Sequence, residues 1–222
     1  MSAFVQANSY AFTTGSSYAN AYPSNNTAGN LLIAFADVGG TTDTLTIADS
    51  NSNTWVQLYQ DNTHQPGVTF AVWYALNCAG GANTVTVSGT TSLLGGVAIG
   101  EWSGVNTFEQ KSAITANTGN SFTTASITTA FSNEVVIAFV LCNQGFGTPP
   151  FNTPFTAEAG NQLGGTFYSL FADDVNVSAG SISATANFDN NTNSNSGFIA
   201  SWYQASSGNP TTNALTRLGA GL

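Results

Sequence analysis

The chain contains two similar apolar stretches that decide its fold: residues 31–35 read Leu-Leu-Ile-Ala-Phe, and residues 135–139 read Val-Val-Ile-Ala-Phe. Continuous apolar runs of this length are typical of β-strands that are covered on both faces. Residues 84–87 read Thr-Val-Thr-Val, and this alternation predicts a strand with one buried face. Helical periodicity is nearly absent elsewhere. The sequence therefore predicts an all-β protein, an antiparallel two-sheet β-sandwich with a jelly-roll-like arrangement.

Turns rich in glycine and asparagine separate the strand-like segments at short intervals, as in known β-sandwiches. The strands predicted in the first half cover residues 9–22, 31–38, 43–48, 54–60, 67–76, 83–89 and 95–103. The strands predicted in the second half cover residues 112–128, 134–142, 151–158, 165–173, 181–188 and 197–204. A long loop is predicted at residues 144–154.

Four blocks of the first half recur in the same order in the second half, which indicates an internal duplication. They pair residues 30–36 with 133–139 (Ile33 opposite Val136), 67–75 with 165–172, 79–87 with 178–186, and 96–102 with 197–202. The halves thus cover about residues 1–105 and 106–206. Two tandem sandwiches are an alternative, but no linker separates the halves, and this favours a single sandwich.

Charged residues are scarce, and most of them are acidic. The 222 residues include two cations, Lys111 and Arg217, and eleven carboxylates, which give a net charge of −9. Without a basic patch, binding to nucleic acid or to anionic membranes is not expected. The apolar runs are too short to cross a bilayer, and the first residues do not resemble a secretory signal. Either the protein stays where it is made or leaves by another route, or a leader has been removed. A virion component, released by lysis, would need no leader.

The two cysteines, Cys78 and Cys142, do not have the spacing of a metal site. Each adjoins a strand-like run, so the favoured interpretation is two small buried thiols. A single disulfide remains the alternative.

Five blocks of the first half carry a resemblance to a known family: residues 29–33, 49–55, 73–77, 79–87 and 101–105. They resemble the "GNLL", "DSxGNTY", "WYAxN", "GGxNTVTV" and "EYSGV" blocks of β-sandwich modules from bacterial extracellular proteins and phage structural proteins. The sequence departs from these patterns in the turn block and by a tryptophan in place of the tyrosine in the last block. The resemblance implies a non-catalytic surface or attachment domain and carries over no catalytic residue.

Candidate catalytic residues are few. The single histidine, His64, lies in a turn at residues 61–67 and is expected to be an exposed loop residue. Glu101, Glu134 and Glu158 could in principle provide a carboxylate pair for glycoside hydrolysis, although Glu134 is expected to be a solvated charge at a strand start. Nothing in the sequence fixes the separation that this reaction needs. The protein is therefore predicted not to be an enzyme, with a glycan-active enzyme as a minority alternative.

Two segments have features of calcium loops. Asp49, Asn51 and Asn53 provide the alternating oxygens that open such a loop, but the glycine and the distal glutamate are missing. A hairpin turn explains this segment more simply. Asp173 and Asp174 also look turn-like. No cofactor is predicted, and a structural calcium ion is left open.

Aromatic residues make up 12% of the chain, and together with a neutral polar surface they indicate a possible sugar-binding face. Trp73, Trp102 and Trp202 lie in repeated strand blocks and are expected in the core. The rings left as candidates for stacking on sugars are Trp55, Tyr59, Tyr18 and Tyr22, with Tyr10.

The C-terminal residues 207–222 lie outside the repeat and could be a frayed end. The alternative is a peptide that docks on a neighbouring subunit through Leu215, Arg217, Leu218 and Leu222.

The favoured function is a non-enzymatic virion protein of a phage, a decoration, fibre or tail component that assembles with its own copies and other virion proteins. The alternative is a carbohydrate-binding module or an adhesin subunit of a bacterial appendage, located at the cell surface or outside the cell. Cell-surface glycans are possible further partners.

Overall fold

The computed structural model of the chain describes residues 1–41, 43–163 and 167–205. These ranges form β-strands and contain no helix, which confirms the predicted all-β class. The first half forms β1 (Ala3–Ala21), β2 (Leu31–Gly39), β3 (Thr46–Asp49), β4 (Val56–Asp61), β5 (Val68–Ala75) and β6 (Thr84–Ser103). The second half begins with β7 (Thr107–Lys111), β8 (Thr115–Thr123), β9 (Ile127–Thr129), β10 (Glu134–Cys142) and β11 (Phe146–Phe151). It continues with β12 (Thr156–Leu163), β13 (Phe167–Val177), β14 (Gly180–Ile182) and β15 (Thr185–Tyr203).

Each half builds one large antiparallel sheet, and these two sheets share one strand order. In the second half, β9 and β14 also form a separate two-stranded sheet. The first sheet has the order β1-β6-β2-β5-β4, with β3 paired to β6. In the second sheet β15, β10, β13 and β12 take the places of β6, β2, β5 and β4. Strands β7 and β8 together correspond to β1, and β11 corresponds to β3. The predicted two-sheet sandwich of two similar halves is confirmed.

The strand pairing fixes which residues of the two halves are equivalent. Leu31 lies opposite Trp102 in the first sheet, and Val135 lies opposite Trp202 in the second. Leu31 is therefore equivalent to Val135. The sequence alignment is wrong by one residue here, because it set Leu31 against Glu134. A shift of one residue moves every side chain of a strand to the other face. The sequence could not reveal this shift, because the strand is apolar on both faces.

The core has three layers, one between the sheets and one on the outer side of each sheet. The central cluster takes alternate residues from both apolar runs, together with Trp102 and Trp202. The residues between them pack outward, in one cluster for the first half and another for the second. This confirms that the two apolar runs are strands covered on both faces.

The outer clusters are covered by extensions of the longest strands. Strand β1 shifts its pairing with β6 between Tyr10 and Ser17, and beyond this point residues 17–21 pair with residues 84–88. Tyr18, with its partners on β6, then packs onto the outer face of its own sheet. In the first half the chain therefore passes from one layer to the next within a single long strand.

Some predicted boundaries are wrong. Strand β1 begins six residues earlier than predicted, because Phe4 packs against Trp102 with ring centroids 5.7 Å apart. The predicted loop at residues 144–154 contains β11. Its two prolines are tolerated because β11 pairs with β15 only at its ends, as is usual for proline at sheet edges.

None of the described residues belongs to a helix long and apolar enough to span a membrane.

Candidate functional site

Glu101, the first carboxylate candidate, is completely buried and surrounded by hydrogen-bond donors. Its Oε2 accepts from Gln6 Nε2 at 2.5 Å and from Asn26 Nδ2 at 2.8 Å. Its Oε1 accepts from the backbone N–H of Thr27 at 2.8 Å and from Asn30 Nδ2 at 2.7 Å. Four donors around one buried carboxyl group make Glu101 a cross-link between β6, β1 and the loop before β2.

Glu134, the second candidate, was expected to be a solvated charge, but the structure buries it completely. Its Oε1 accepts from the backbone N–H of Phe131 at 2.7 Å. The carboxyl group also contacts that of Glu109, which accepts from Ser201 Oγ at 2.7 Å. Burial, and next the hydrogen bond to Glu109, raise the pKa of Glu134 to about 7. The side chain is therefore mostly protonated below about pH 7, well above the pH at which an exposed glutamate loses its proton.

Glu158, the third candidate, forms a carboxyl pair with Asp173. Trp102 of the first half donates from Nε1 to Asp173 Oδ2 at 2.5 Å, so the pair also joins the two halves. Burial, followed by the charge of Asp173, raises the pKa of Glu158 to about 8. Glycosidases place their two carboxyl groups about 5–9.5 Å apart on either side of the bond that breaks. Glu158 and Asp173 instead contact each other and share a proton.

Asp37 was missed by the sequence reasoning, although it lies at the same interface between the halves. It is fully buried on β2, and its Oδ1 accepts from Asn161 Nδ2 at 3.2 Å and from Ser169 Oγ at 3.1 Å. Burial raises the pKa of Asp37 to about 7, against the opposing effect of these hydrogen bonds. An aspartate directly after an apolar run was the available signal.

Next to Glu158 and Asp37, a cleft opens between β1 of the first half and β11, β12 and β13 of the second. Two adjoining cavities of about 470 and 520 Å³ form it. Their shared lining consists of Ser9, Phe146, Gly160 and Leu170. Glu158 lines the first cavity, while Asn161, Gln162 and Tyr168 line the second. Both volumes fall within the range of small-molecule sites, about 300–1,000 Å³.

The rings proposed for sugar binding lie elsewhere, and two of them are in the core. Tyr18 is buried and donates from its hydroxyl to the carbonyl of Gly15 at 2.5 Å. Tyr22 is buried and donates to the carbonyl of Gly100 at 3.1 Å. Neither ring can stack on a ligand at the surface, so the sequence-based prediction is wrong for both.

Tyr59 and Trp55 are half-buried. The Tyr59 ring lies against Phe198, with centroids 4.8 Å apart, and Lys111 Nζ lies 3.5 Å from its centroid. Its hydroxyl donates to the carbonyl of Ser112 at 2.9 Å. Trp55 packs against the outer cluster of the first sheet. Both rings therefore contribute to packing, and Tyr59 has protein groups on both sides.

The first calcium candidate is a turn held by amide donors. Asp49 accepts from the backbone N–H of Asn53 at 2.9 Å and from its Nδ2 at 2.6 Å, and Asn83 Nδ2 donates at 3.1 Å. Asn53 Oδ1 in turn accepts from the N–H of Ala79. Asn51, between them, has no hydrogen-bond partner for its Nδ2, a donor that cannot bind a cation. These contacts support the simpler interpretation, a hairpin turn.

The second calcium candidate lies inside β13 and not in a turn. Because neighbouring residues of a strand point to opposite faces, Asp173 and Asp174 cannot converge on one ion. Within the described part of the chain, no three His, Cys, Asp or Glu side chains come together as a metal site.

His64 lies in an exposed loop, with Nδ1 2.9 Å from Asp61 Oδ1. Cys78 and Cys142 are free, buried thiols in the two separate outer clusters. The proposed docking residues Leu215, Arg217, Leu218 and Leu222 lie outside the described residues.

Comparison with known proteins adds no assignment: no protein-family model, curated protein or solved structure matches this chain. The fold and the site define a β-sandwich protein with interior carboxyl groups and a cleft between its halves.

Proposed function

We propose that the chain is a non-enzymatic structural subunit of a phage particle, a decoration, fibre or tail component that acts in assembly or host attachment. The resemblance of residues 29–105 to phage structural and bacterial extracellular modules supports this class. A bacterial surface appendage is the alternative setting for the same structural role.

The observation that carries the proposal is a sheet edge that is open at its start, although Lys111 Nζ donates to the carbonyl of Leu58 further along it. Strand β4 lies at the end of the first sheet and pairs only with β5 among the described residues. Natural proteins usually protect such edges with lysine, proline or inward charges. Strand β4 reads Val-Gln-Leu-Tyr-Gln-Asp, with no lysine or proline, and Val56 at its start is 44% exposed. An edge of this kind can pair with a strand of another subunit.

The interior carboxyl groups support a structural role as well. Each glutamate that was a candidate for catalysis has a partner within the protein: Glu101 has four donors, Glu134 contacts Glu109, and Glu158, which lines the cleft, contacts Asp173. The resulting contacts join strands and halves, and they leave few charges for the surface.

We expect the full-length protein to form oligomers, and Val56→Lys to weaken this association by about tenfold, because a charge on an edge strand opposes strand pairing. Size-exclusion chromatography with light scattering across a range of concentrations measures the effect. Phe131→Lys is the matched control, since Phe131 is also 44% exposed but lies outside β4.

Comparing the full-length protein with a chain that ends at Ser207 shows whether association depends on the edge strand β4 or on the C-terminal segment. Loss of association only in this shorter chain would assign assembly to the segment and not to β4. A monomer at every concentration, for a full-length protein with an intact circular-dichroism spectrum, would contradict the assembly proposal.

A further inference from the structure

The two halves differ most informatively at one pair of equivalent positions on β4 and β12. Tyr59 follows a shift in the register of β4 and pairs with Val72 of β5. Ala159 follows a shift at the same place in β12 and pairs with Phe171 of β13, the strand equivalent to β5. The second half thus has a methyl group where the first half has a phenol ring.

A second pair of equivalent positions faces the first. Lys111 on β7 pairs with Ala200, two residues before Trp202. Ala7 on β1 pairs with Gly100, two residues before the equivalent tryptophan of the first half. Lys111 and Ala7 are therefore equivalent, and again a large side chain is replaced by alanine.

The two halves meet at two equivalent places, or junctions: one lies between Tyr59 and Lys111, the other between Ala159 and Ala7. The size of these side chains determines whether each junction is filled or open. At the first junction, Lys111 lies over the Tyr59 ring and donates from Nζ to the carbonyl of Leu58. At the equivalent junction, Ala7 and Ala159 both line the cleft described above. The cleft is therefore the place where two otherwise similar halves differ by the loss of two large side chains.

The polar groups of the cleft are partly unused. Asn161 is 7% exposed, and its Oδ1 has no hydrogen-bond partner among the described residues, although the residue lines the second cavity. Glu158 takes the position of Leu58, so a carboxyl group lines the cleft where the other half buries an aliphatic side chain. Gln162 is exposed and donates to the hydroxyl of Tyr168 at 2.8 Å.

The charge and shape of the lining define the class of ligand. None of the described lining residues is cationic, and a carboxyl group is present in a protein of net charge −9, so an anionic ligand is disfavoured. Two half-buried rings, Phe146 and Tyr168, provide apolar surfaces beside amide and hydroxyl groups. Rings pack against the C–H faces of sugars, and amides exchange hydrogen bonds with their hydroxyl groups.

We propose that this cleft binds a neutral oligosaccharide, with Tyr168 as the ring platform and Asn161 and Glu158 as hydrogen-bonding groups. None of the five rings that the sequence indicated for sugar binding lines this cleft. The proposal goes beyond the structural role and does not depend on self-association. In a particle, such a cleft would serve attachment to a glycan-coated surface.

The test is titration calorimetry of the full chain with neutral hexasaccharides of glucose, mannose, xylose and N-acetylglucosamine, and with a polygalacturonate hexamer as the acidic comparison. We expect at least one neutral sugar to bind and the acidic one not to bind. Ala159→Tyr, which restores the filled junction of the first half, should weaken binding by about tenfold or more. Tyr168→Ala should weaken it comparably, because it removes the ring surface.

Matched variants keep the test decisive. Phe131→Ala removes an exposed ring outside the cleft and should leave the affinity unchanged. If circular dichroism shows that Ala159→Tyr does not fold, Gln162→Ala replaces it. Gln162 is exposed and lines the cleft, so this variant is expected to fold and to bind the sugar more weakly. The proposal is overturned if no sugar of the panel binds, if the acidic sugar binds best, or if Trp55→Ala and not the cleft variants abolishes binding. It is equally overturned if a sugar binds only after residues 208–222 are removed, because the C-terminal segment would then be the natural occupant.

Discussion

Replacing Glu101 by alanine is expected to lower the free energy of unfolding by about 4 kcal/mol, a large share of the stability of a typical domain. The substitution leaves four N–H donors without their acceptor, and three of them are on the buried side chains of Gln6, Asn26 and Asn30. Each buried donor that loses its partner costs about 1–3 kcal/mol, and partial relaxation offsets some of the sum. Glu101→Gln keeps one acceptor oxygen and is expected to lose about 2 kcal/mol.

Urea denaturation followed by tryptophan fluorescence measures both variants. Glu158→Gln is the matched control, because this carboxyl group already holds its proton near neutral pH, and its change is expected to be less than about 1 kcal/mol. If Glu101→Ala were as stable as the unmodified protein, Glu101 would not be a structural cross-link. A catalytic role for it would then have to be reconsidered.

The second large effect is a loss of stability as the pH rises. Burial raises the pKa of Asp37 from 3.8 to about 7, so the folded protein keeps a proton that the unfolded chain releases above about pH 4. The stability that this proton contributes is complete below pH 4 and is lost as the pH rises through 7. For Asp37 alone we expect a decrease on the order of 3 kcal/mol between pH 4 and pH 8. Glu134 and Glu158, with pKa values raised to about 7 and about 8, act in the same direction.

Asp37→Asn isolates this contribution, because the amide is neutral at every pH. We expect a flatter pH profile of the unfolding free energy and a variant that is more stable than the unmodified protein at pH 8. Asp189→Asn is the matched control, since it makes the same chemical change at an exposed position. An identical pH profile for Asp37→Asn and the unmodified protein would show that Asp37 is not desolvated in the folded state.

The sequence was sufficient for the fold class, because strands covered on both faces leave a clear pattern. The runs at residues 31–35 and 135–139 are buried on both sides, and the repeat predicted from them corresponds to one strand order used twice. The sequence could not define how the two runs align with each other, because a strand that is apolar on both faces tolerates a shift of one residue in any alignment. Strand β11 was missed because its prolines argue against a strand unless it lies at an edge.

The candidate site was much less predictable. Asp37 and Asn161 are 124 residues apart in sequence and meet only when the two sheets pack. The cleft exists because Ala7 and Ala159 are small. Their importance is visible only when they are compared with the large residues at the equivalent positions of the other half. Tyr18 and Tyr22 were proposed as surface rings because the sequence does not show that β1 folds over its own sheet.

A structural subunit of a particle has to be present in that particle. The most direct measurement is therefore to purify phage particles from a lysate that contains this chain, label them with gold-conjugated antibodies against it, and quantify the chain by mass spectrometry. We expect regularly spaced gold on the particles and a chain that stays with them through a density gradient in a fixed ratio to the major capsid protein. Particles without the chain, with the protein found instead on the host cell surface, would contradict the assignment to the virion and favour the appendage.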